Sequence, residues 1–530
     1  MPVSKLEYNL IHRACVGDIL TRAAWRFPER VAVKDGDVSL TFKELNERAN
    51  RLGDALLNLG LAHQDRVGIM SLNSWEFLVS YFACAKAGFV AVPINLGLKG
   101  PEITYCLKDA QAKALIVDAM FAQMITPVLK ELEDIEHIIW YGAEQPMSDG
   151  GNIFNRLLKE GDPAEVEQVV EDRDIVQLLY TSGTTSHPKG VLTSHVAVTI
   201  TSLSSALTLK LDEKDTVLAV LPLFHCAQLN AITLPALLVG ATTILQKSFD
   251  AKQVSVALER ERVTMTALLP MMYAALQAES TAQKRDFSSM RLAIYAMAPM
   301  PRTRIKEIQD LFPNANILLG SGQTELTPPT TFQRPHHQWV KAASWGAATP
   351  SVQIGIMDDE GNLLPRGETG EIVYRSPQAM EGYLNLPGPT EETFKHGWLH
   401  SGDVGYIDEE GVVWFTDRKK DMIKTGGENV ASIEVERRLM EHPAVQEAAV
   451  VGLPHPRWGE AVTGVVILKP DQSANEEELI AFCKETLAGF KVPKRIEVVT
   501  EFPRTGTGKI RKHRLREQLK DLYTQEIPNR

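Results

Sequence analysis

The chain has 530 residues, a formal charge of −11, 44% apolar and 23% charged residues. That length exceeds one hydrophobic core and that balance is ordinary for a globular protein, so two or more domains are expected. An acidic chain without a long basic run argues against nucleic acid as main partner. In chain order, TFKELNERANRLGDALLNLG reads as a helix opened by a capping box, Thr41 with Glu44, with Leu45, Ala49, Leu52 and Leu56 at helical spacing. DRVGIMSL reads as a strand, WEFLVSYFACAKAG as a helix and FVAVPI as a strand. The alternation continues through KALIVD, TVLAVLPL, TTILQ, TMTALLP, RLAIYAMAP and NILLG, which predicts parallel sheets covered by helices. Around IMDDEGNLLPRGETGEIVY the rhythm changes to short strands with turns, a small antiparallel unit. After the charged junction DRKKDMIKTGGENV, helices SIEVERRLMEHP and EEELIAFCKETL alternate with strands VQEAAVVGLP, EAVTGVVILKP and RIEVVTEFP, a separate α+β domain.

Cys15, Cys84, Cys106, Cys226 and Cys483 lie far apart with no CxxC pair, which suits a reducing cytoplasm better than a disulfide framework or a zinc site. No signal peptide is expected, and EIPNR is not a peroxisomal tripeptide. The most apolar stretch, AITLPALLVGA, is too short and too Pro-broken to span a bilayer.

The segment TSGTTSHPKG follows the apolar run IVQLLY. Glycine backbone, hydroxyls and one lysine suit a polyphosphate. From Gly183 to Lys189 the spacing matches the nucleoside-triphosphate loop GxxxxGK[ST]. Pro188 and Gly190 break that pattern, because they stand where a glycine and a magnesium-binding hydroxyl belong. A Ser/Thr/Gly cluster is also what an ordinary surface loop looks like, and the segment alone leaves both open.

Further motifs follow in order: LPLFH, GSGQTE, HSGD, DRKKDMIKTGGEN and PRTGTGK. Together with YTSGTTSHPKG they resemble the adenylate-forming superfamily, specifically the acyl-CoA synthetases, from about residue 20 to 515. The resemblance implies a large α/β N-terminal domain of doubly wound parallel sheets with a small antiparallel or barrel unit at 1–417, a hinge at 418–420, and a small mobile α+β domain at 421–530. It implies a ligase that attacks ATP with a carboxylate, giving acyl-AMP and pyrophosphate, and then transfers the acyl group to CoA. Both steps gather negative charge, so cations and N–H donors are needed where it develops.

By resemblance, Thr181, Ser182, Gly183, Thr184, Thr185 and Lys189 cradle the ATP phosphates, and Gly322, Gln323 and Thr324 meet the nucleotide, Thr324 at the α-phosphate. Glu325 is the implied Mg2+ ligand, since magnesium needs only one or two carboxylates beside phosphate oxygens. Asp403 accepts the ribose hydroxyls, assisted by Arg418. Lys509 bridges carboxylate and α-phosphate during adenylation. Lys420 is the implied hinge. After rotation the loop with Lys424, Gly426, Gly427 and Glu428 replaces Lys509 beside the pantetheine arm of CoA. Trp458 and Phe490 are implied adenine contacts for CoA, with small-domain core as the plainer alternative for both. His225 is implied beside the acyl carboxylate, and a core histidine at a strand end is its alternative. The absence of an aspartate after Phe224 implies an acid without an α-amino group.

Five positions depart from the family pattern. Ser321 stands where an aromatic usually stacks on the ATP adenine, and Val492 where an arginine meets the CoA 3′-phosphate, so Lys491 or Lys494 is the expected substitute. Ala296 and Met297 stand where smaller residues are common, and Leu229 where some long-chain enzymes carry an aromatic gate. The reading is an acid with an apolar tail, a medium- or long-chain fatty acid first and an aryl acid second. Transfer to a carrier-protein thiol is the further alternative. Peripheral membrane contact and a homodimer are compatible with it.

Overall fold

The computed structural model describes residues 3–142, 153–181, 188–296, 300, 302–504 and 509–523, apart from the side chains of 281–283. The chain packs as two compact units, Met1–Ile354 with Tyr374–Leu399, and Gly355–Val373 with His400–Arg530. It is mixed α/β, with a large unit built on parallel sheets and a smaller C-terminal region, as the sequence pattern predicts.

In the first unit, the helix Phe42–Asn58 begins at Thr41, whose hydroxyl accepts the Glu44 N–H while the Glu44 carboxylate accepts the Thr41 N–H. The reciprocal bonds satisfy two donors that the first turn would otherwise leave bare. Leu45, Ala49, Leu52 and Leu56 are fully buried, and they pack with Phe77, Tyr81 and Phe82 of helix Trp75–Ala87. Gly88 ends that second helix at a φ of 79°.

A seven-stranded sheet runs Gly382–Tyr383, Lys189–Ser194, Ile175–Thr181, Val90–Pro93, Arg66–Met70, Ala114–Asp118, His137–Tyr141. Its centre is parallel, with Val67 opposite Ala91 on one side and Ala114 on the other. Lys189–Ser194 and Gly382–Tyr383 add antiparallel strands at one edge. A second parallel set joins Thr242–Leu245, Thr216–Ala219, Met265–Leu268, Leu292–Tyr295 and Asn316–Ser321. The strand read from TVLAVLPL stops at Ala219. Pro222 lacks an N–H for a ladder, and the chain turns there instead. The apolar stretch AITLPALLVGA becomes part of a π-helical turn, Leu229–Thr233, and the helix Leu234–Val239. Pro235 sits in that helix's first turn, where its missing N–H costs nothing.

In the second unit, Leu399–Ile407 and Val412–Arg418 pair antiparallel. A further sheet joins Glu428–Val430, Ile423–Thr425, Gly459–Leu468 and Val445–His455, with Arg495–Val498 parallel to Gly459–Leu468. Strand alternation divides its side chains between two cores. Val450, Val462 and Val466 face helices Ser432–Met440 and Glu476–Lys484, whereas Ala449, Val451 and Val465 face Leu515 and Tyr523. Among the described residues, no helix is long and apolar enough to cross a membrane.

Candidate active site

Thr181 and Lys189 stand opposite each other on adjoining strands, and the Thr181 hydroxyl reaches the Lys189 carbonyl at 3.4 Å. Ser182, Gly183, Thr184 and Thr185, between them, lie outside the described residues. On a neighbouring element, strand Asn316–Ser321 runs into the short 3-10 turn Thr324–Leu326. Gly322 has no room for a side chain, since a Cβ there would lie 2.6 Å from the Pro328 Cβ. The buried Gln323 Nε2 finds no hydrogen-bond partner among the described residues, so it can serve a ligand acceptor.

Two further side chains join the predicted ones into a continuous set. The His225 Nδ1 accepts the Ala227 N–H at 3.1 Å, which places the proton of the neutral ring on Nε2. The Cys226 Sγ lies 3.8 Å from that Nδ1 and 3.5 Å from the Thr324 Oγ1. Beside Thr324, the Glu325 Oε1 accepts the Tyr383 hydroxyl at 2.9 Å, and the Lys189 ammonium sits 4.8 Å from the Tyr383 ring centre. Burial first, and then the Glu325 carboxylate, hold the Tyr383 phenol well above its ordinary pKa, so it stays a donor. Glu325 is half-buried and forms no ion pair among the described residues. One such carboxylate next to phosphate oxygens fits magnesium. Among the described residues no cluster of three metal-ligating side chains exists. Ser321 is half-buried, and its carbonyl accepts the Thr330 N–H at 2.8 Å. Leu229 is fully buried in the core, and Met297 lies outside the described residues.

In the second unit, antiparallel pairing sets Asp403 opposite Arg418, and the guanidinium Nε lies 3.3 Å from the buried Asp403 carboxylate. Lys420 follows at the surface. Strands Ile423–Thr425 and Glu428–Val430 form a hairpin whose turn is Gly426 and Gly427, at φ of 59° and 88°. A side chain would be strained at both. Lys424 and Glu428 flank the turn and are exposed. The Gly426 N–H donates to the Trp458 carbonyl at 2.8 Å, which brings the hairpin and Trp458 together. Trp458 is half-buried against the core, with the His455 ring stacked 4.1 Å away and the Lys494 ammonium 4.9 Å from its ring centre. The Lys494 ammonium also reaches the carbonyl of Gly489, next to the exposed Phe490. Lys491 instead grips both Glu434 oxygens at 2.8 Å. Val492 is a core residue at 4% exposure, so an arginine there would need a different local packing. Lys509 is exposed beside the bridge between Arg504 and Ile510, and Thr505 to Gly508 lie outside the described residues.

The family model for AMP-binding enzymes matches residues 20–384, and that for their C-terminal domain matches residues 434–509. The chain belongs to the AMP-binding enzymes. This adenylate-forming CoA ligase is 34% identical to a feruloyl-CoA synthase of Amycolatopsis sp., over 94% of this chain and 98% of the relative. It is also 34% identical to the long-chain-fatty-acid–CoA ligase FadD13 of Mycobacterium tuberculosis, over 93% and 95%. Its fold is similar to an anthranilate CoA ligase in complex with anthranoyl-AMP, at a TM-score of 0.87 and 32% identity over 96% and 98%. For the AMP-binding enzyme, ATP, CoA and a small-molecule acid are therefore the substrates. Tyr383 and Cys226 are the site neighbours that motif reading passes over. Tyr383 has one signal, its place next to Gly382 in a short segment after a predicted strand, and that resembles any turn.

Proposed function

We propose that the enzyme activates an apolar-tailed carboxylic acid as acyl-AMP and then passes the acyl group to free CoA. The observation that carries this reading is the chain of contacts His225, Cys226, Thr324, Glu325, Tyr383, Lys189 on one unit. It gathers a cation, a hydroxyl, a carboxylate and an imidazole, the groups suited to attack of a carboxylate on the α-phosphate with pyrophosphate leaving. Lys189 and Thr181, with Ser182, Gly183, Thr184 and Thr185, hold the β- and γ-phosphates. Thr324 donates to the α-phosphate, with Gly322 and Gln323 beside the nucleotide. Glu325 would hold Mg2+, which neutralises phosphate charge when bound. His225 lies along the acid's carboxylate, and Asp403 with Arg418 takes the ribose. Lys509 serves adenylation, and rotation about residues 418–420, centred on Lys420, exchanges it for Lys424 and its hairpin. Gly426, Gly427, Glu428, Trp458 and Phe490 receive CoA. The place of Lys494 beside Trp458, against the engagement of Lys491 by Glu434, supports Lys494 as the 3′-phosphate contact.

The equal identities to a feruloyl-CoA synthase and a fatty-acid ligase support an aryl acid and a fatty acid alike. The likeness to the anthranilate ligase adds weight to the aryl side. Pyrophosphate release over a panel of fatty and aryl acids of graded length, with and without CoA, separates them. Turnover confined to amino acids or to a carrier-protein thiol would overturn the reading. A cytoplasmic place is part of the proposal.

A further inference from the structure

The structure assigns Tyr383 as a positioning residue that holds Glu325 and Lys189 apart and aims each at its own partner. This rests on the proposed roles of Glu325 as metal ligand and Lys189 as phosphate contact. The two opposite charges both lean on one phenol ring. Its hydroxyl donates to the Glu325 Oε1, and its face carries the Lys189 ammonium. An acid and a lysine this close to one side chain would otherwise lower their energy by pairing. Among the described residues they form no ion pair with each other. An ion pair would neutralise both before ATP arrived. With the hydroxyl on one and the ring face under the other, Glu325 keeps its second oxygen for an ion and Lys189 keeps its ammonium for phosphate. The attraction of ammonium to ring is weak enough for phosphate to take over.

The backbone that carries the ring is held at several points. Tyr383 pairs with Val191 on the edge of the phosphate-loop strand, and the Leu384 N–H donates to the Gly190 carbonyl at 2.8 Å. The Tyr383 N–H donates to the Thr390 hydroxyl at 3.0 Å. The Met380 N–H donates to the Glu325 carbonyl at 2.9 Å, so the same short segment grips both the strand and the Glu325 turn. Gly382, at a φ of 147°, lets the chain make that grip, and a Cβ there would already touch Thr390 at 3.0 Å. Such fixed outer partners are what aim a metal-binding carboxylate.

The test uses the full-length enzyme. Mn2+ affinity is read by electron paramagnetic resonance with a non-hydrolysable ATP analogue bound, and metal-free analogue affinity by calorimetry in chelator. Tyr383→Phe removes the hydroxyl and keeps the ring; it is expected to weaken Mn2+ about tenfold, the usual scale for an outer-shell partner, and to leave metal-free nucleotide affinity near wild type. Tyr383→Leu removes both and is expected to weaken both, because Lys189 is then free to pair with Glu325. Glu325→Gln is the control on the underlying roles. Unchanged Mn2+ affinity in Glu325→Gln overturns the metal-ligand role and this proposal with it. A weakened Glu325→Gln beside an unchanged Tyr383→Phe overturns this proposal alone. Equal metal-free nucleotide affinities in the Phe and Leu variants overturn the spacing of Lys189. Melting temperatures establish that each variant is folded, and Tyr383→Phe carries the test if the leucine variant is not.

Discussion

Lys509 is an exposed ammonium, and its proposed role belongs to adenylation and not to thioester formation. Lys509→Ala is expected to lower pyrophosphate release on the order of a hundred- to a thousandfold, the usual cost of one group that stabilises developing charge. Thioester formation from supplied acyl-AMP should persist. Equal loss in both half-reactions would remove Lys509 from its role. Trp458 makes a sharper test because it has two readings. Its half-burial against the core and its stacking on His455 favour packing, while the nearby Lys494 ammonium and the Gly426 turn favour a ligand contact. Trp458→Ala is expected to raise the KM for CoA with little change in acyl-AMP formation. A fall in melting temperature with an unchanged KM for CoA would assign it to the core. Asp403 and Arg418 were legible in the sequence because each sits in a motif, and antiparallel pairing sets them side by side. Tyr383 was not legible, because its importance comes from two partners 58 and 194 residues away (383 − 325 and 383 − 189). No local pattern encodes such contacts.

Among the elements, the helix His195–Leu209 opens on a fully buried histidine. The His195 Nδ1 accepts the Val16 N–H at 3.2 Å, and its Nε2 has no partner among the described residues. Burial first, then the charge of Arg13, press its pKa from 6.5 down to about 3. A helix N-terminus adds to the cost of a cation there. Below about pH 6.5 the unfolded chain therefore binds a proton that the folded chain refuses, and stability falls as pH drops, by up to about 1.4 kcal/mol per unit. His195→Asn keeps an acceptor for Val16 and cannot titrate. Between pH 7 and 5, urea unfolding should show wild type losing about 2 kcal/mol more than this variant. Parallel pH dependence would mean that the ring is not held neutral. Lys420 is the proposed hinge. Lys420→Pro fixes φ and should spare acyl-AMP formation while lowering overall thioester turnover, read from the two half-reactions separately. Normal turnover would take the hinge away from Lys420. Regular elements were read well wherever apolar spacing and caps agreed, as in Phe42–Asn58 and Trp75–Ala87. The π-helical turn Leu229–Thr233 was hidden, because a run apolar on every side has no period to read.

For the molecule as a whole, the order of six short motifs carried the family, and the strand–helix rhythm carried the parallel sheets. Substrate identity was beyond such reading. Short motifs carry the shared chemistry with ATP and CoA, whereas the match of one acid over another rests on packing that no motif spells out. The central claim is that one chain forms acyl-AMP first and meets CoA second. The most direct measurement is acid-dependent exchange of labelled pyrophosphate into ATP without CoA, followed by CoA addition. The account predicts exchange that needs only acid, ATP and Mg2+, and conversion of the accumulated acyl-AMP to thioester once CoA is supplied. Exchange that appears only when CoA is present, or thioester made without AMP release, would contradict it.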